Sequence, residues 1–371
     1  AQRSAPPRAM PAPPATDQET MILPDGDLRL AAVDMGLPDE ELVPRVHEQL
    51  STVGFLLIHN CGPAYDEGEL FDHVQKFHTA VPEHEKRKLW WRNHNRENEN
   101  RFRGLAPVVD NDQSHKELFD MGVPYDQVSE AERRFPLVEE TPFPLQGEAE
   151  FVELRKYFEA QFEHRLQLGL RLARLIALGL GQPPDLFRPW FERDSLSTFR
   201  TIFYPSRDQA SVRQDQLSAD ELLLTTPAHS DSGFLTLLCT FGYPGLQVWY
   251  KDAWRGIAPC GLENTLVVNL GDTLSRITNF QLKATKHRVL EIGRTRYSQP
   301  FFFDPKYSQV IPSDLIARLP ADMAKDEAGR AESESRGARA GGPAINNDFD
   351  AEAAGTVVYG EWLVQKLKAA Y

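Results

Sequence analysis

The chain has 371 residues, 41% of them hydrophobic and 26% charged, with a net charge of −13. This is the balance of a globular protein, arranged as one large domain or two small ones. The acidic charge argues against nucleic-acid and anionic-membrane partners, which need clustered Lys and Arg, and the chain has no apolar run of the roughly 18 residues that a membrane span requires.

The N-terminal stretch and the cysteines indicate the setting of the protein. Residues 1–25 start with a Pro- and Ala-rich segment that lacks the apolar stretch of a signal peptide, so we predict a disordered tail. The three cysteines, Cys61, Cys239 and Cys260, are odd in number and widely spaced, which does not indicate a disulfide framework, so a reducing, cytoplasmic compartment is expected.

After the tail, apolar periodicity predicts alternating strands and helices. In chain order these are a strand at 28–35, a helix at 40–52, a strand at 54–60, a helix at 67–79 and a polar loop at 86–104. The longest helical pattern, 147–181, carries a stripe of Phe and Leu that indicates core packing and no chemistry of its own. Gly179 and Gly181 predict its end.

Between residues 195 and 305 the pattern changes to short β-rich runs separated by turns that contain Gly. Many short strands at this spacing predict a mainly β core, either a sandwich, a jelly roll or a barrel. The predicted strands are 197–204, 234–241, 246–250, 265–270, 287–291 and 297–303.

The C-terminal part of the chain divides into two segments. Residues 321–355 are poor in apolar side chains and predict a flexible insertion, whereas 356–371 have the apolar spacing of a helix. We therefore predict a single domain over residues 26–371, with an N-terminal subregion at 26–190 and the β core at 195–305.

The residues that carry chemistry begin with His229-Ser230-Asp231. Residues two apart on a strand point to the same face, so this imidazole and carboxylate are expected to project together. His287, at the start of another predicted strand, is the best candidate for a third ligand. Two His and one carboxylate leave coordination positions open on one side of a metal, which is the facial triad of Fe(II) oxygenases.

A second motif, Arg296-Tyr297-Ser298, follows His287 along the chain. Arg296 and Ser298 share one face of a predicted strand. A guanidinium binds a carboxylate through two parallel hydrogen bonds, and a nearby hydroxyl adds a third. This pair predicts a site for the distal carboxylate of 2-oxoglutarate, whose keto-acid end would chelate the metal. Each motif alone is common, but their combination in one β-rich region is specific.

At these residues the sequence resembles the isopenicillin N synthase-like branch of the 2-oxoglutarate/Fe(II) dioxygenases. The resemblance covers roughly residues 28–303 and the C-terminal helix. Its motifs are His229-Ser230-Asp231-Ser232-Gly233-Phe234-Leu235-Thr236, Gly245-Leu246-Gln247-Val248, Asn269-Leu270-Gly271-Asp272, Lys286-His287-Arg288-Val289 and Arg296-Tyr297-Ser298.

The resemblance implies a double-stranded β-helix, which is a jelly roll, with helices packed outside it, including the long helix of the N-terminal half. It implies Fe(II) held by His229, Asp231 and His287, with 2-oxoglutarate and O₂ as co-substrates. Arg296 and Ser298 would hold 2-oxoglutarate, and Tyr204 would contact the co-substrate or substrate carboxylate. The family also implies a monomer that acts on a small-molecule metabolite by hydroxylation, desaturation or cyclisation.

Strand alternation extends the site to candidate substrate contacts. If Tyr204 faces inward, so do Ile202 and Arg200, and if Arg296 faces inward, so does Phe302. Arg200 would pair with a substrate acid or carbonyl, or alternatively form a salt bridge within the fold. Phe302 would stack on a planar substrate or fill the core, and Ser232 lies next to Asp231.

Three other functions remain open from the sequence. An oxidase of the same fold that needs no 2-oxoglutarate would keep the Arg-x-Ser pair, and succinate release separates it from a dioxygenase. A zinc hydrolase would need a general base beside the three ligands, and none is evident. A catalytically silent binding module would have no need for an intact triad.

Overall fold

The computed structural model of the chain describes residues 20–109, 114–145, 147–191, 194–207, 217–218, 220, 222–311 and 357–370. The predicted insertion at 321–355 and most of the predicted tail lie outside these ranges. Of the tail, Met21–Ile22 form a strand that pairs with Leu28–Arg29, so this end of the predicted disordered segment is ordered.

Seven α-helices lie within the described residues. They are α1 (Asp39–Thr52), α2 (Glu67–Ala80), α3 (Glu83–Leu89), α4 (Glu130–Arg133), α5 (Ala149–Gly179), α6 (Asp272–Ile277) and α7 (Tyr359–Ala370). Local chemistry explains where two of them begin. The first turn of α1 has three acidic residues, which interact favourably with the positive end of the helix dipole. Asp66 caps α2 by accepting a hydrogen bond from Glu69 N–H. None of the described helices is both long and apolar enough to cross a membrane.

Sixteen strands form the rest of the described framework. They are β1 (Met21–Ile22), β2 (Leu28–Arg29), β3 (Ala32–Asp34), β4 (Phe55–His59), β5 (Gly104–Ala106), β6 (Glu117–Met121), β7 (Thr198–Tyr204), β8 (Leu224–His229), β9 (Leu235–Cys239), β10 (Leu246–Tyr250), β11 (Ala253–Gly256), β12 (Leu266–Leu270), β13 (His287–Leu290), β14 (Arg296–Phe303), β15 (Val310–Ile311) and β16 (Val357–Val358).

Two sheets build the jelly roll. The larger has eight strands in the order β3-β4-β12-β9-β14-β7-β6-β5, and the smaller has four in the order β11-β10-β13-β8. Except for the parallel β3–β4 pair, neighbouring strands are antiparallel. The predicted mainly β jelly roll with flanking helices is confirmed.

Apolar side chains fill three regions around the larger sheet. The largest cluster lies between this sheet and α1, α2 and α5, where side chains such as Phe77, Phe158 and Phe301 are fully buried. A second cluster lies between the two sheets and joins Phe55 and Leu57 of β4 to Val248 of β10.

A third, small apolar cluster is separate from both, and it comprises Trp91, Ala106, Leu118, Ile202 and Tyr204. Because Leu118 pairs with Ile202 and Ala106 with Leu118 across adjacent strands, these side chains share the inner face of the larger sheet. The space between the sheets therefore has an apolar wall at each end.

Most predicted elements appear within a residue or two of their expected bounds. The predicted strand at 28–35 is two short strands, β2 and β3. The predicted loop at 86–104 was partly wrong, because α3 extends to Leu89. Five of its seven residues are charged, with acidic residues in the first turn and basic ones in the last, and this complements the helix dipole without an apolar stripe.

The missed strand β6 is fully buried yet contains two acidic residues. Both carboxylates are paired inside the protein. Glu117 accepts from Lys86 at 2.7 Å and Asp120 accepts from Arg200 at 2.6 Å. The strand was not predicted because its two acidic residues interrupt the apolar pattern, and the partners that allow their burial are distant in sequence.

Candidate metal centre

The two histidines of the predicted triad are brought together by strand pairing. His229 ends β8 and His287 begins β13, and in the antiparallel β8–β13 pair these two residues lie directly opposite each other. Their ring centroids are 4.3 Å apart. Cross-strand neighbours share a face of the sheet, so both imidazoles project into the space between the two sheets.

Asp231 lies close to the two histidines, but it is not on a strand as predicted. The strand ends at His229, so Asp231 lies in the following loop and not two residues along a strand. The N-terminus of α6 holds this loop, since Asp272 N–H donates to Asp231 O at 2.7 Å and Thr273 Oγ1 donates to Ser232 O at 2.9 Å. A side chain at Gly271 would overlap the Gly233 backbone, which explains the glycine there.

The three side chains form a compact donor set. One ligand atom from each of His229, Asp231 and His287 lies within 4.8 Å of the other two. Asp231 Oδ1 is 3.5 Å from His229 Nε2 and 3.7 Å from His287 Nε2. Two imidazole nitrogens and one carboxylate oxygen without thiolate suit an Fe(II) centre with open positions.

The other ring nitrogens fix how the imidazoles point. His229 Nδ1 lies 2.8 Å from Pro227 O, and His287 Nδ1 lies 3.2 Å from Thr285 O. In this geometry each Nδ1–H donates to a backbone carbonyl, which leaves the Nε2 lone pair facing the common point.

The carboxylate of Asp231 is held in the same manner. Its Oδ2 accepts hydrogen bonds from Thr236 Oγ1 at 2.5 Å and from Asn269 Nδ2 at 2.7 Å. Oδ1 is thereby turned towards the two imidazoles. Thr236 and Asn269 have no role predicted from the sequence, although both lie in motifs that carry the resemblance.

Local electrostatics leave His287 and Asp231 in the states that bind metal. At His229, burial would lower the pKa, but the hydrogen bond and charge of Asp231 raise it above its ordinary value, so a bound metal would displace a proton there. Burial, and then the positive charge of His229, lower the pKa of His287 to about 4. Burial alone would raise the pKa of Asp231, but the charges and hydrogen bonds of its histidine neighbours hold that pKa well below its usual range. An ionised carboxylate and a neutral imidazole are the ligand forms.

Arg296 lies on β14 with its guanidinium buried between the sheets. Only 4% of the residue is exposed. Nη2 donates to Thr225 Oγ1 of β8 at 2.7 Å, and the guanidinium carbon stacks 3.6 Å from the centre of the Tyr204 ring. Nε has no hydrogen-bond partner among the described residues. A buried donor without a partner needs an explanation, and at this position a bound ligand provides one.

Ser298 and Tyr204 lie beside this arginine. Arg296 pairs with Tyr204 and Ser298 with Ile202 across β14 and β7, so all four side chains share one face. Burial would raise the pKa of Tyr204, but Arg296 and then Lys116 lower it below its ordinary value. The structure thus brings the predicted Arg-x-Ser pair and the tyrosine together on the inner face.

The four predicted substrate contacts occupy different surroundings. Ile202 belongs to the small apolar cluster, and the Arg200 guanidinium lies 5.2 Å from the centre of the half-buried Phe302 ring. Arg200 makes a two-pronged salt bridge to Asp120, at 2.6 and 2.7 Å, which is the alternative considered for it from the sequence. Ser232 is half-buried in the loop that follows Asp231.

Comparison with known proteins agrees with this arrangement. The 2OG-Fe(II) oxygenase superfamily profile matches residues 197–305. The 2-oxoglutarate-dependent dioxygenase citB of Monascus ruber is 31% identical over 71% of this chain and 78% of its own length. Gibberellin 20 oxidase 4 of Arabidopsis thaliana is 35% identical over 43% of this chain, a match that spans only 39% of that protein.

The fold is also that of a solved protein. A full-length Neurospora crassa protein, crystallised in complex with alpha-KG and thymine, superposes with a TM-score of 0.67, at 21% sequence identity, over 95% of this chain and 100% of the other.

Proposed function

The chain belongs to the 2OG-Fe(II) oxygenase superfamily, and from that premise we propose that it is a dioxygenase that oxidises a small molecule with Fe(II), 2-oxoglutarate and O₂. The observation that carries the proposal is the meeting of the His229, Asp231 and His287 donor atoms with a buried, partly unpaired arginine between the same two sheets.

The donor set fits Fe(II). His229 and His287 would supply Nε2 and Asp231 would supply Oδ1, while backbone carbonyls, Thr236 and Asn269 occupy the atoms that point away. Outer partners of this kind orient ligands and raise their basicity. A catalytically silent module would have no use for such support.

The surroundings of Arg296 fit the distal carboxylate of 2-oxoglutarate. Thr225 and the Tyr204 ring fix the guanidinium plane, so its free Nε–H is already oriented when a carboxylate arrives. The Ser298 hydroxyl lies on the same face and would add a third hydrogen bond. Tyr204 would also limit access of water to this ion pair.

When bound, iron and 2-oxoglutarate supply the oxidative chemistry, in which 2-oxoglutarate and O₂ yield succinate and CO₂ while one C–H bond of the substrate is oxidised. The protein positions the reactants and excludes water. Arg296 binds the co-substrate carboxylate, and the two histidines and Asp231 leave one side of the metal open.

The substrate would lie against the apolar side chains of the inner face. Ile202 is continuous with Trp91, Ala106 and Leu118. Phe302 lies on the same face as Arg296 and Ser298. Ser232 lies in the metal loop, which is the stretch 230–234 between β8 and β9 that contains Asp231. We propose these as contacts for a substrate with an apolar body, with Arg200 serving the fold through Asp120.

The protein would act alone on its small-molecule substrate. Large hydrophobic side chains that are exposed among the described residues are scattered, namely Met21, Val109, Leu222 and Val310. Scattered exposure of this kind does not build a subunit interface, so a monomer is proposed.

Decarboxylation of 2-oxoglutarate tests the proposal. Purified protein with Fe(II), ascorbate and [1-¹⁴C]2-oxoglutarate should release labelled CO₂ during a substrate screen, with succinate formed in equal amount. His287→Ala should abolish release, whereas His84→Ala, at an exposed position on α3, should not. Substrate oxidation without succinate would point to the 2-oxoglutarate-independent oxidase, and release unaffected by His287→Ala would overturn the site.

A further inference from the structure

The C-terminal helix is joined by one buried hydrogen bond to Asp304, a residue that lies against the metal loop. Tyr359, at the start of α7, is fully buried, and its hydroxyl donates to Asp304 Oδ1 at 2.6 Å. Asp304 directly follows β14, the strand that carries Arg296. The helix is therefore connected to the inner strands by a specific polar contact as well as by apolar packing of Trp362.

The same carboxylate holds the loop that contains Asp231. Asp304 accepts a hydrogen bond from the backbone N–H of Phe234. A side chain at Gly233 would overlap Asp304 Oδ1, so the glycine is what permits this close approach. Gly233 lies two residues after Asp231 in the metal loop. A change in the position of the Asp304 carboxylate would therefore move the backbone that carries Asp231.

The loop is thus held from two sides. On one side, the N-terminus of α6 binds the carbonyl oxygens of Asp231, Ser232 and Gly233. On the other side, Asp304 binds the N–H of Phe234 and is itself bound by Tyr359. The second side depends on the C-terminal helix through the Tyr359 hydroxyl.

We propose that Tyr359 and Asp304 are positioning residues that couple docking of α7 to the geometry of the Asp231 loop, so that metal affinity depends on the C-terminal helix. This inference rests on the proposed function, because it assumes that His229, Asp231 and His287 bind a divalent metal. Coupling between two sites is reciprocal. Metal binding must therefore also stabilise the docked helix.

The metal affinity of Tyr359→Phe is the first test. This change removes the hydroxyl and keeps the ring that fills the core. We expect the dissociation constant for Co(II), read from its visible absorption under anaerobic conditions, to rise by roughly 3- to 10-fold, less than the 10- to 100-fold typical of partners that touch a ligand directly. Asp304→Asn, which keeps the volume of the side chain, should weaken Co(II) binding in the same direction.

Tyr157→Phe is the matched control. Tyr157 lies on α5, and its buried hydroxyl has no hydrogen-bond partner among the described residues. This variant should bind Co(II) as the wild type does. The second measurement is amide hydrogen exchange of residues 359–367 with and without Co(II), which should slow on metal binding in the wild type and slow less in Tyr359→Phe.

The outcomes separate this inference from the function on which it rests. If the wild type binds no metal, the proposed function fails as well. If the wild type binds Co(II), but Tyr359→Phe and Asp304→Asn bind it equally well and exchange in α7 does not respond to metal, the coupling is refuted and the metal site stands.

Discussion

Asn269 donates its side-chain amide to Asp231 Oδ2 at 2.7 Å, and this bond leaves Oδ1 as the oxygen that faces the two imidazoles. Thr236 makes the second bond to the same oxygen. Asn269 and Thr236 are direct partners on adjacent strands β12 and β9. The larger sheet therefore orients the carboxylate, while the smaller sheet carries the histidines.

Thr236→Val should weaken metal binding. The change keeps the shape of the side chain and removes one hydrogen bond to Asp231, so we expect the dissociation constant for Co(II) to rise by roughly 10- to 100-fold. Thr201→Val is the matched control, since Thr201 is also a buried strand residue, with its hydroxyl bonded to His78 on the helix side of the sheet. Both variants should lose stability, but only Thr236→Val should lose metal affinity. Equal affinities would show that the hydrogen bond from Thr236 does not contribute to the orientation of Asp231.

Arg200→Ala should act on stability. Asp120 is only 3% exposed, and removal of its partner would leave a buried, unpaired carboxylate, which costs about 3 kcal/mol in the free energy of unfolding. Urea unfolding of Arg200→Ala, Asp120→Ala and the double variant measures this, and the double variant should lose much less than the sum of the two single variants. Unchanged stability together with a raised substrate KM would instead return Arg200 to the substrate pocket.

Asp304→Asn should change how stability depends on pH. Burial is the main cause that raises the pKa of Asp304 to about 6, and hydrogen bonds from Tyr359 and Phe234 offset only part of it. Because the folded pKa lies above the unfolded value, this group stabilises the fold fully below about pH 4 and loses that contribution as pH rises through about 6. The loss amounts to roughly 3 kcal/mol.

The asparagine variant does not titrate, so its stability relative to the wild type should rise between about pH 4 and 7. Urea unfolding of both proteins at several pH values provides the comparison. A difference in free energy that stays constant over this range would show that Asp304 keeps an ordinary pKa in the folded protein.

The sequence predicted those features that depend on local pattern. The long helix α5 and the strands β10 and β14 follow directly from apolar periodicity, and the triad follows from residue type combined with the resemblance. The meeting of His229 with His287 was expected from the chemistry, but its cause is the β8–β13 register, which depends on the pairing of distant strands.

The features that the sequence did not predict depend on contacts across the fold. Asp231 was expected on a strand and lies in a loop held by α6, since backbone bonds from a distant helix end leave no local pattern. The contacts of Thr236 with Asp231 and of Tyr359 with Asp304 join residues on different elements. A salt bridge of Arg200 within the fold was one of two possibilities, and only the register of β6 against β7 identifies Asp120 as its partner.

Anaerobic titration of the Fe(II)-loaded protein with 2-oxoglutarate tests the central claim most directly. The proposed site predicts a weak visible metal-to-ligand charge-transfer band in the wild type. Arg296→Lys keeps the charge but loses the fork-shaped guanidinium, and it should need roughly 10- to 100-fold more 2-oxoglutarate. Arg255→Lys, at an arginine that binds backbone carbonyls of Gly26 and Tyr250, should titrate as the wild type does. A protein that binds iron but gives no band, or a band that Arg296→Lys leaves unchanged, would contradict the account.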